Sequence, residues 1–190
     1  MRSGGIFWHT DVETALQESE TAQKPIVIEI CDPECTFCAQ MEATTYTDER
    51  VIDFINHNFV ALRVLSDRLP PSLYLKITGT PAFIIIDSSR KQYHQASGFH
   101  SPEDLISTLI LGIVKIHFDK GKLKGALLLL DRIISDCPEG TSTPEAIYCR
   151  GFYKYQHSRD EMALREAYEL LRKRFPENEW TSKASHYKTQ

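Results

Sequence analysis

The sequence predicts an α/β sheet domain followed by an all-α helical extension. Up to about residue 117, short β-branched apolar segments alternate with segments of helical periodicity, a pattern typical of a sheet flanked by helices. From residue 118 onward only helical periodicity remains. The 190 residues are enough for one full domain and a smaller appendage. We therefore expect a sheet domain over residues 1–117 and helical hairpins over residues 118–190.

The first half of the predicted sheet domain alternates helices with strands. Pro25 separates the first helix from a run that is apolar on both faces, which is typical of a buried central strand. Thr47 or Asp48 supplies the N-cap of the third helix. The predicted elements are a helix over residues 11–22, a strand over 26–30, a helix from about 35 to 43, a helix after the cap at 47 or 48, and a strand over 59–64.

The second half of the domain contains a hairpin and a clearly marked helix. The turn over residues 87–91 has hairpin length, so the strand after it is expected to pair antiparallel with the strand before it, which gives the sheet one antiparallel edge. Ser101 caps the next helix, and Pro102 occupies its first position. The predicted elements are a short helix near 73–76, strands over 82–86 and near 92–97, and this last helix.

Amphipathic helices are predicted for the rest of the chain, at about residues 122–135, 144–157, 160–174 and after Pro176. Two segments share a loose pattern of one alanine and two leucines, namely Ala126, Leu129, Leu130 and Ala167, Leu170, Leu171. This part of the chain resembles tetratricopeptide-type arrays, whose concave faces bind peptides. The resemblance implies a peptide partner for the extension.

Charge and hydropathy exclude several classes of partner. The formal net charge is −4 and there is no basic stripe, so nucleic-acid binding is not expected. The most apolar stretch, residues 105–118, is interrupted by polar residues, so no membrane span is expected. Near the N-terminus, Arg2 precedes the apolar patch Ile6-Phe7-Trp8, which is too short for a signal-peptide core. The expected location is cytoplasmic, or periplasmic if a signal peptide has been removed.

The motif Cys35-Thr36-Phe37-Cys38 is the most informative feature of the sequence. Five cysteines are an odd number, so they cannot all pair within one chain. A cysteine at the start of a helix faces unpaired backbone N–H groups, which favour the thiolate, and Cys38 follows on the same helical face. Such a pair also serves zinc and haem sites, but no histidine follows Cys38 and no second pair of this spacing exists. Thiol–disulfide exchange is therefore the favoured chemistry.

The context of the pair strengthens this interpretation. A predicted strand ends just before the pair, and Thr80-Pro81 precedes the next core strand. In its order and spacing of motifs, the chain resembles the thioredoxin-like superfamily over roughly residues 6–117. It is particularly similar to bacterial CxxC thioredoxin-like proteins and to the periplasmic domains of membrane thiol reductases. The matching positions are Trp8, Ala15, Lys24-Pro25, Cys35, Cys38 and Thr80-Pro81.

This resemblance implies roles for the residues of the candidate site. Cys35 is the attacking nucleophile, Cys38 is the resolving cysteine, and the two form a redox-active disulfide. Pro81 is the cis-proline opposite them, and Thr80, Pro81 and Phe37 contact the substrate. No metal or organic cofactor is implied. The implied partners are protein thiols and disulfides, together with an unidentified upstream reductase that restores the dithiol.

Two further residues acquire implied roles. Glu29 lies six residues before Cys35, where the family often has a buried acid that accepts and returns the proton of Cys38. Arg63 lies where thioredoxin has a lysine near that acid. From the sequence alone, Glu29 could be a satisfied polar residue of an edge strand, but the apolar run around it favours burial. Arg63 is expected to be a surface or pairing residue. Pro81 could likewise be an ordinary trans-proline in a turn.

The chain departs from the family pattern at two places, and these bear on the redox direction. The dipeptide Thr36-Phe37 carries no positive charge, and Cys31 replaces the usual aromatic residue. Asp32 and Glu34 add negative charge nearby, so the thiolate of Cys35 should be stabilised less than in strong oxidants. We therefore expect a reductase-like protein.

Alternatives remain for the cysteines. Cys35 and Cys38 could be an inert buried pair or part of a metal site, and Cys31 is expected to be a core thiol. The spacing of Cys31, Cys35 and Cys38 also resembles the cluster-binding motif of radical S-adenosylmethionine enzymes. Cys137 and Cys149 are expected to be packing residues. In a third hypothesis the protein is a non-enzymatic interaction module, in which the helical tail binds a peptide and the thioredoxin-like part is a scaffold.

Overall fold

The computed structural model describes residues 4–189, so Arg2 lies outside the described residues. The chain divides into two compact units between Gly112 and Ile113. The predicted boundary after residue 117 is later than this division. Helix α4, Pro102–Asp119, begins in the first unit and ends in the second. The change in sequence pattern near residue 118 therefore marks the end of this helix.

The first unit contains the predicted alternation of helices and strands. Its elements are β1 (Trp8–His9), α1 (Val12–Ala22), β2 (Ile26–Cys31), α2 (Thr36–Ala43), α3 (Glu49–Asn58), β3 (Val60–Leu65), β4 (Ala82–Ile86), β5 (Gln92–Ser97) and the first part of α4. Strand β1 was not predicted, because two residues are too few to show a periodicity. The predicted helix near 73–76 is wrong. A single 3₁₀ turn, Pro71–Leu73, ends at Tyr74, which has a φ of 50° and so stops the helix.

The five strands form one mixed sheet in the order β1-β3-β2-β4-β5. Strands β1 and β2 lie parallel to β3, whereas β4 is antiparallel to β2. The predicted antiparallel pairing of β4 with β5 is confirmed, and the antiparallel part of the sheet thus includes the β2–β4 pair as well. In the central strand β2, Glu29 is paired with Arg63 of β3 on one side and with Phe83 of β4 on the other.

The core of the first unit explains why these segments become strands. Five consecutive residues of β2 and all five of β4 are buried, as expected for strands covered on both faces. The buried cluster on one side of the sheet combines α1 with the three central strands. Its members are Val12, Ala15, Leu16, Ile26, Ile28, Ile30, Val60, Leu62, Val64, Leu73, Ala82, Ile84 and Ile86. Glu29 is therefore a carboxylic acid placed within an apolar strand, 1% exposed.

The second unit consists of helices, as predicted. They are α5 (Leu123–Asp136), α6 (Thr143–Ser158), α7 (Met162–Arg174) and α8 (Glu179–Ala184), and each packs against the next in chain order. The alanine and the second leucine of each predicted pattern, Ala126 with Leu130 and Ala167 with Leu171, are buried. The tetratricopeptide-like character stays a prediction. Within residues 4–189, no helix is both long and apolar enough to cross a membrane.

Candidate active site

Cys35 lies at the N-terminal end of α2. It is the N-cap residue of this helix, in extended conformation, and its Sγ accepts a hydrogen bond from the backbone N–H of Cys38 at 3.2 Å. Cys38 lies one turn further along the helix and is buried, whereas Cys35 is partly exposed. No disulfide bond joins Cys35 and Cys38 in this structure. A sulfur that acts as a helix cap is held against unpaired N–H groups, as the sequence predicted.

The two thiols differ in acidity. Burial alone would raise the pKa of Cys35, but hydrogen bonds from the side chains of Cys38 and Thr80 and from backbone N–H groups lower it below its usual value. Burial and the hydrogen bond with Cys35 raise the pKa of Cys38 to about 11. At neutral pH the exposed sulfur is thus the better nucleophile, and the buried sulfur keeps its proton until a base removes it.

This difference predicts a selective alkylation pattern. From neutral to mildly alkaline pH, iodoacetamide should modify Cys35 in the reduced protein much faster than Cys38, because the pKa of Cys35 is lowered and that of Cys38 is raised to about 11. Peptide mapping by mass spectrometry after short pulses at each pH gives both rates. Equal rates with the same pH midpoint would contradict the assignment. The buried thiol Cys149, whose pKa burial raises to about 12, is the internal control for an unreactive cysteine.

Thr80, Pro81 and Phe37 lie around the exposed sulfur. The Thr80–Pro81 peptide bond is cis. The Cys35 thiol donates to the carbonyl oxygen of Thr80, with Sγ 3.2 Å from that oxygen. Phe37 exposes 53% of its surface, because α2 begins at the protein surface. The structure thus places the Thr80 carbonyl against the Cys35 thiol, and it leaves the apolar side chain of Phe37, two residues from Cys35, open to solvent.

Glu29 occupies a polar cluster beside the cysteine pair. Its Oε1 accepts a hydrogen bond from the hydroxyl of Tyr46 at 2.5 Å, and its Oε2 accepts one from Nε of Arg63 at 2.5 Å. Burial raises the pKa of Glu29, and the charge of Arg63 and the hydroxyl of Tyr46 act in the opposite direction. Arg63 also reaches Glu42, with Nη2 2.6 Å from Oε1. The guanidinium lies 4.4 Å from the centre of the Trp8 ring, a cation–π arrangement.

A small pocket connects this cluster with the cysteine pair. It has a volume of about 210 Å³, and both Glu29 and Cys38 line it. The other lining residues are Cys31, Asp32, Pro33, Ala39, Glu42 and Leu65. A water molecule needs about 30 Å³ and two or more polar partners, so a pocket of this size with Glu29, Asp32 and Glu42 in its wall can hold water beside Cys38.

Cys31 lies at the end of β2 and is half-buried, with Sγ 3.9 Å from the carbonyl oxygen of Val64. Burial and the nearby Glu29 raise its pKa. Within residues 4–189, no group of three or more histidine, cysteine or acidic residues is arranged to hold a metal ion, so the geometry gives no support to a cluster bound by Cys31, Cys35 and Cys38. Cys137 and Cys149 belong to the helical unit.

Sequence reasoning did not identify Tyr46. This residue lies in the 3₁₀ turn Thr45–Thr47 that follows α2, and it is 7% exposed. A lone tyrosine in a turn gives no periodicity that would mark it as buried. The only usable signal is its position in the segment that directly follows the cysteine helix.

The arrangement defines a thioredoxin-like domain with a CxxC dithiol at the start of a helix. Residues 2–79 match the family model described as Thioredox_DsbH, Protein of unknown function, DUF255. No functionally curated protein matches the chain in sequence. The match agrees with the thioredoxin-like resemblance of the first unit, and it covers the cysteine pair, Glu29, Tyr46 and Arg63.

A solved structure of the same fold confirms the architecture of the first unit, and two others are similar at lower TM-scores. A disulphide-isomerase candidate from Bacteroides thetaiotaomicron is 20% identical, with a TM-score of 0.52 over 60% of this chain and 97% of that chain. A thioredoxin from Thermus thermophilus is 18% identical, with a TM-score of 0.49 over 60% of this chain and 90% of that one. A protein described as DsbH Oxidoreductase is 20% identical, with a TM-score of 0.44 over 52% of this chain and 78% of that chain.

Proposed function

We propose that this protein is a thiol–disulfide oxidoreductase that acts on protein disulfides through Cys35 and Cys38. The observation that carries the proposal is the asymmetry of the pair. One sulfur caps a helix at the surface and accepts the N–H of its partner residue at 3.2 Å, and the other sulfur is buried one turn deeper. This is the arrangement that attack on a disulfide followed by intramolecular resolution requires.

The proposed reaction has two steps. The Cys35 thiolate attacks one sulfur of a substrate disulfide, which forms a Cys35–substrate mixed disulfide and releases the other sulfur as a thiolate. Glu29 then accepts the proton of Cys38 through the pocket, and the Cys38 thiolate attacks Sγ of Cys35. This second attack forms the Cys35–Cys38 disulfide and releases the second substrate thiolate. Two electrons pass from the dithiol to the substrate, and an external reductant must return them.

The proposed direction is reduction of the substrate. No arginine, lysine or histidine lies between the two cysteines, and Asp32 and Glu34 precede Cys35. The dithiol form is therefore stabilised less than in strong oxidants, so it should lose electrons readily. Redox titration of the pair against glutathione gives its potential. A value as oxidising as about −120 mV, that of a strong periplasmic oxidant, would contradict this direction.

The proposed substrate class is a protein rather than a small disulfide. Phe37 offers an exposed apolar surface two residues from the nucleophile, and the main chain at Thr80 lies directly against Sγ of Cys35. An extended peptide can therefore contact the aromatic ring and the backbone together while its disulfide reaches Cys35.

Trapping tests the proposal directly. In Cys38→Ser the first step is intact and the resolving thiol is missing, so a disulfide-bonded protein substrate should remain covalently attached to Cys35. Non-reducing electrophoresis and peptide mapping identify the adduct, and adding excess dithiothreitol should release it. Cys35→Ser is the matched control and should trap nothing. If Cys38→Ser forms no adduct with any protein disulfide across a range of redox buffers, the enzymatic proposal fails and the interaction-module hypothesis becomes the better one.

A further inference from the structure

The buried carboxylate of Glu29 has two hydrogen-bond donors that come from different elements. Arg63 reaches Oε2 from the neighbouring strand β3, and Tyr46 reaches Oε1 from the turn after α2. These two donors are not equivalent. Arg63 also pairs with Glu42, so its charge is divided between two carboxylates. The hydroxyl of Tyr46 has a single proton, and that proton is donated to Glu29.

The position of Tyr46 is strongly constrained. Its ring packs edge-on against Trp8, with 5.6 Å between the ring centres. The preceding residue, Thr45, donates its hydroxyl to the carbonyl oxygen of His100 at 2.6 Å, which fixes the turn to the rest of the first unit. Burial and the nearby Glu29 raise the pKa of Tyr46 far above its usual value, so the hydroxyl remains a donor.

We propose that Tyr46 is a positioning residue that sets the proton affinity of Glu29, and through it the pH at which Cys38 is activated to resolve the mixed disulfide. The effect on Cys38 rests on the proposed function, whereas the effect of Tyr46 on the proton affinity of Glu29 does not. A hydrogen bond donated to a carboxylate stabilises the ionised form, and it does so most effectively where water is excluded. Without the hydroxyl, Glu29 should hold its proton up to a higher pH.

Several ionisable groups surround Glu29, and a test of Tyr46 must leave the others unchanged. They come from β2, β3, α2 and the turns beside them, while β4 contributes the apolar Phe83 at the paired position. These groups are Arg63, Tyr46, Glu42, Cys31, Asp32 and Cys38. Only the hydroxyl of Tyr46 is altered by Tyr46→Phe. The phenyl ring that contacts Trp8 is kept.

The test is a titration of Glu29 that does not depend on activity. The full chain with Cys35→Ser and Cys38→Ser is labelled with ¹³C-glutamate, and the carboxyl resonance of Glu29 is followed with pH, with Glu29→Gln used to assign it. Adding Tyr46→Phe should move the midpoint upward by about one pH unit. Tyr93→Phe is the matched control, because it removes another tyrosine–carboxylate hydrogen bond of the first unit, to Asp87 at 3.0 Å. It should leave the midpoint unchanged.

A second substitution keeps the proposal testable if Tyr46→Phe does not fold. Incorporating 3-fluorotyrosine at position 46 leaves the size of the ring nearly unchanged and makes the hydroxyl a stronger donor, so the Glu29 midpoint should move downward. Opposite shifts for the two changes are expected only if the hydrogen bond itself controls the titration. With 3-fluorotyrosine alone, no shift or an upward shift of the Glu29 midpoint would overturn the proposal. Where Tyr46→Phe also folds, shifts in the same direction for both proteins would do so.

The consequence for the reaction is measured separately. In the protein with both active-site cysteines, Tyr46→Phe should move the pH profile of mixed-disulfide resolution upward by the same amount and slow it about tenfold on the acidic side. In a Glu29→Gln background, Tyr46→Phe should leave the profile where it is. If wild-type protein resolves no mixed disulfide at all, the proposed function fails. The ¹³C titration still decides the role of Tyr46 at Glu29.

Discussion

Replacing Cys35 by serine is expected to abolish catalysed disulfide exchange. A hydroxyl in place of the thiol has no significant ionised fraction at neutral pH, so neither the helix N-terminus nor the hydrogen bonds with Cys38 and Thr80 can generate a nucleophile. We expect the rate of reduction of a disulfide-bonded protein to fall by a factor of at least about 10³. The measurement is the initial rate at pH 7 with dithiothreitol as the terminal reductant, corrected for reduction by dithiothreitol alone.

The control for this variant is a cysteine outside the site. Cys137→Ser changes a thiol of similar partial exposure in the helical unit and should leave the rate within a factor of about two. If the two variants had similar rates, Cys35 would not be the nucleophile. Circular dichroism of both proteins checks that the loss of activity does not reflect unfolding.

Much of the site could be predicted from the sequence, because its main features are local. The N-terminal end of a helix is marked by the preceding strand and turn, so the capping position of Cys35 and the deeper position of Cys38 follow from their spacing of three residues. Glu29 could be expected to be buried because the strand around it is apolar on both faces, with Val27 on the face of Glu29 and Ile28 and Ile30 on the other. Each of these inferences needs only residues that are close together in the sequence.

The partners of Glu29 could not be derived in the same way. Arg63 is 34 residues from Glu29, and the sequence alone left it as a surface or pairing residue. Its place beside Glu29 requires β2 and β3 to be neighbours in one particular register, which the resemblance implied and the structure shows. Tyr46 lies in a turn, where no periodicity indicates which side chains are buried. Strand β1, which contains Trp8, forms only through its pairing with β3, a strand that is distant in the sequence.

The second large effect is expected in the helical unit, at Gly151 of α6. Glycine in the interior of a helix is normally unfavourable, and replacing it by alanine at an open position stabilises a helix by about 0.5–1 kcal/mol. At Gly151 the opposite sign is expected. An added Cβ would lie 2.5 Å from Cβ of Ala167 and 2.8 Å from the carbonyl oxygen of Ala163. The second atom belongs to the backbone of α7, so no side-chain rotation can relieve the contact.

Helices α6 and α7 would therefore have to move apart, which disturbs the buried cluster to which Ile147 of α6 and Leu171 of α7 belong. Overpacking of this kind costs about 1–3 kcal/mol, and more is expected where backbone must move. Gly151→Ala should thus lower the unfolding midpoint of the helical unit by roughly 5–15 °C. The fluorescence of Trp180 in a Trp8→Phe background reports this transition, since the chain has two tryptophans and Trp180 is the one in the second unit.

Two further variants separate steric contact from helix propensity. Gln156→Ala, at an exposed position of α6, should change the free energy of unfolding by less than about 0.5 kcal/mol. Combining Gly151→Ala with Ala167→Gly removes the contact between the two Cβ atoms and leaves the one with the Ala163 carbonyl, so it should restore only part of the loss. A Gly151→Ala protein as stable as the wild type would mean that α6 and α7 can separate at little cost. The close approach of the two backbones would then contribute little to the stability of the helical unit.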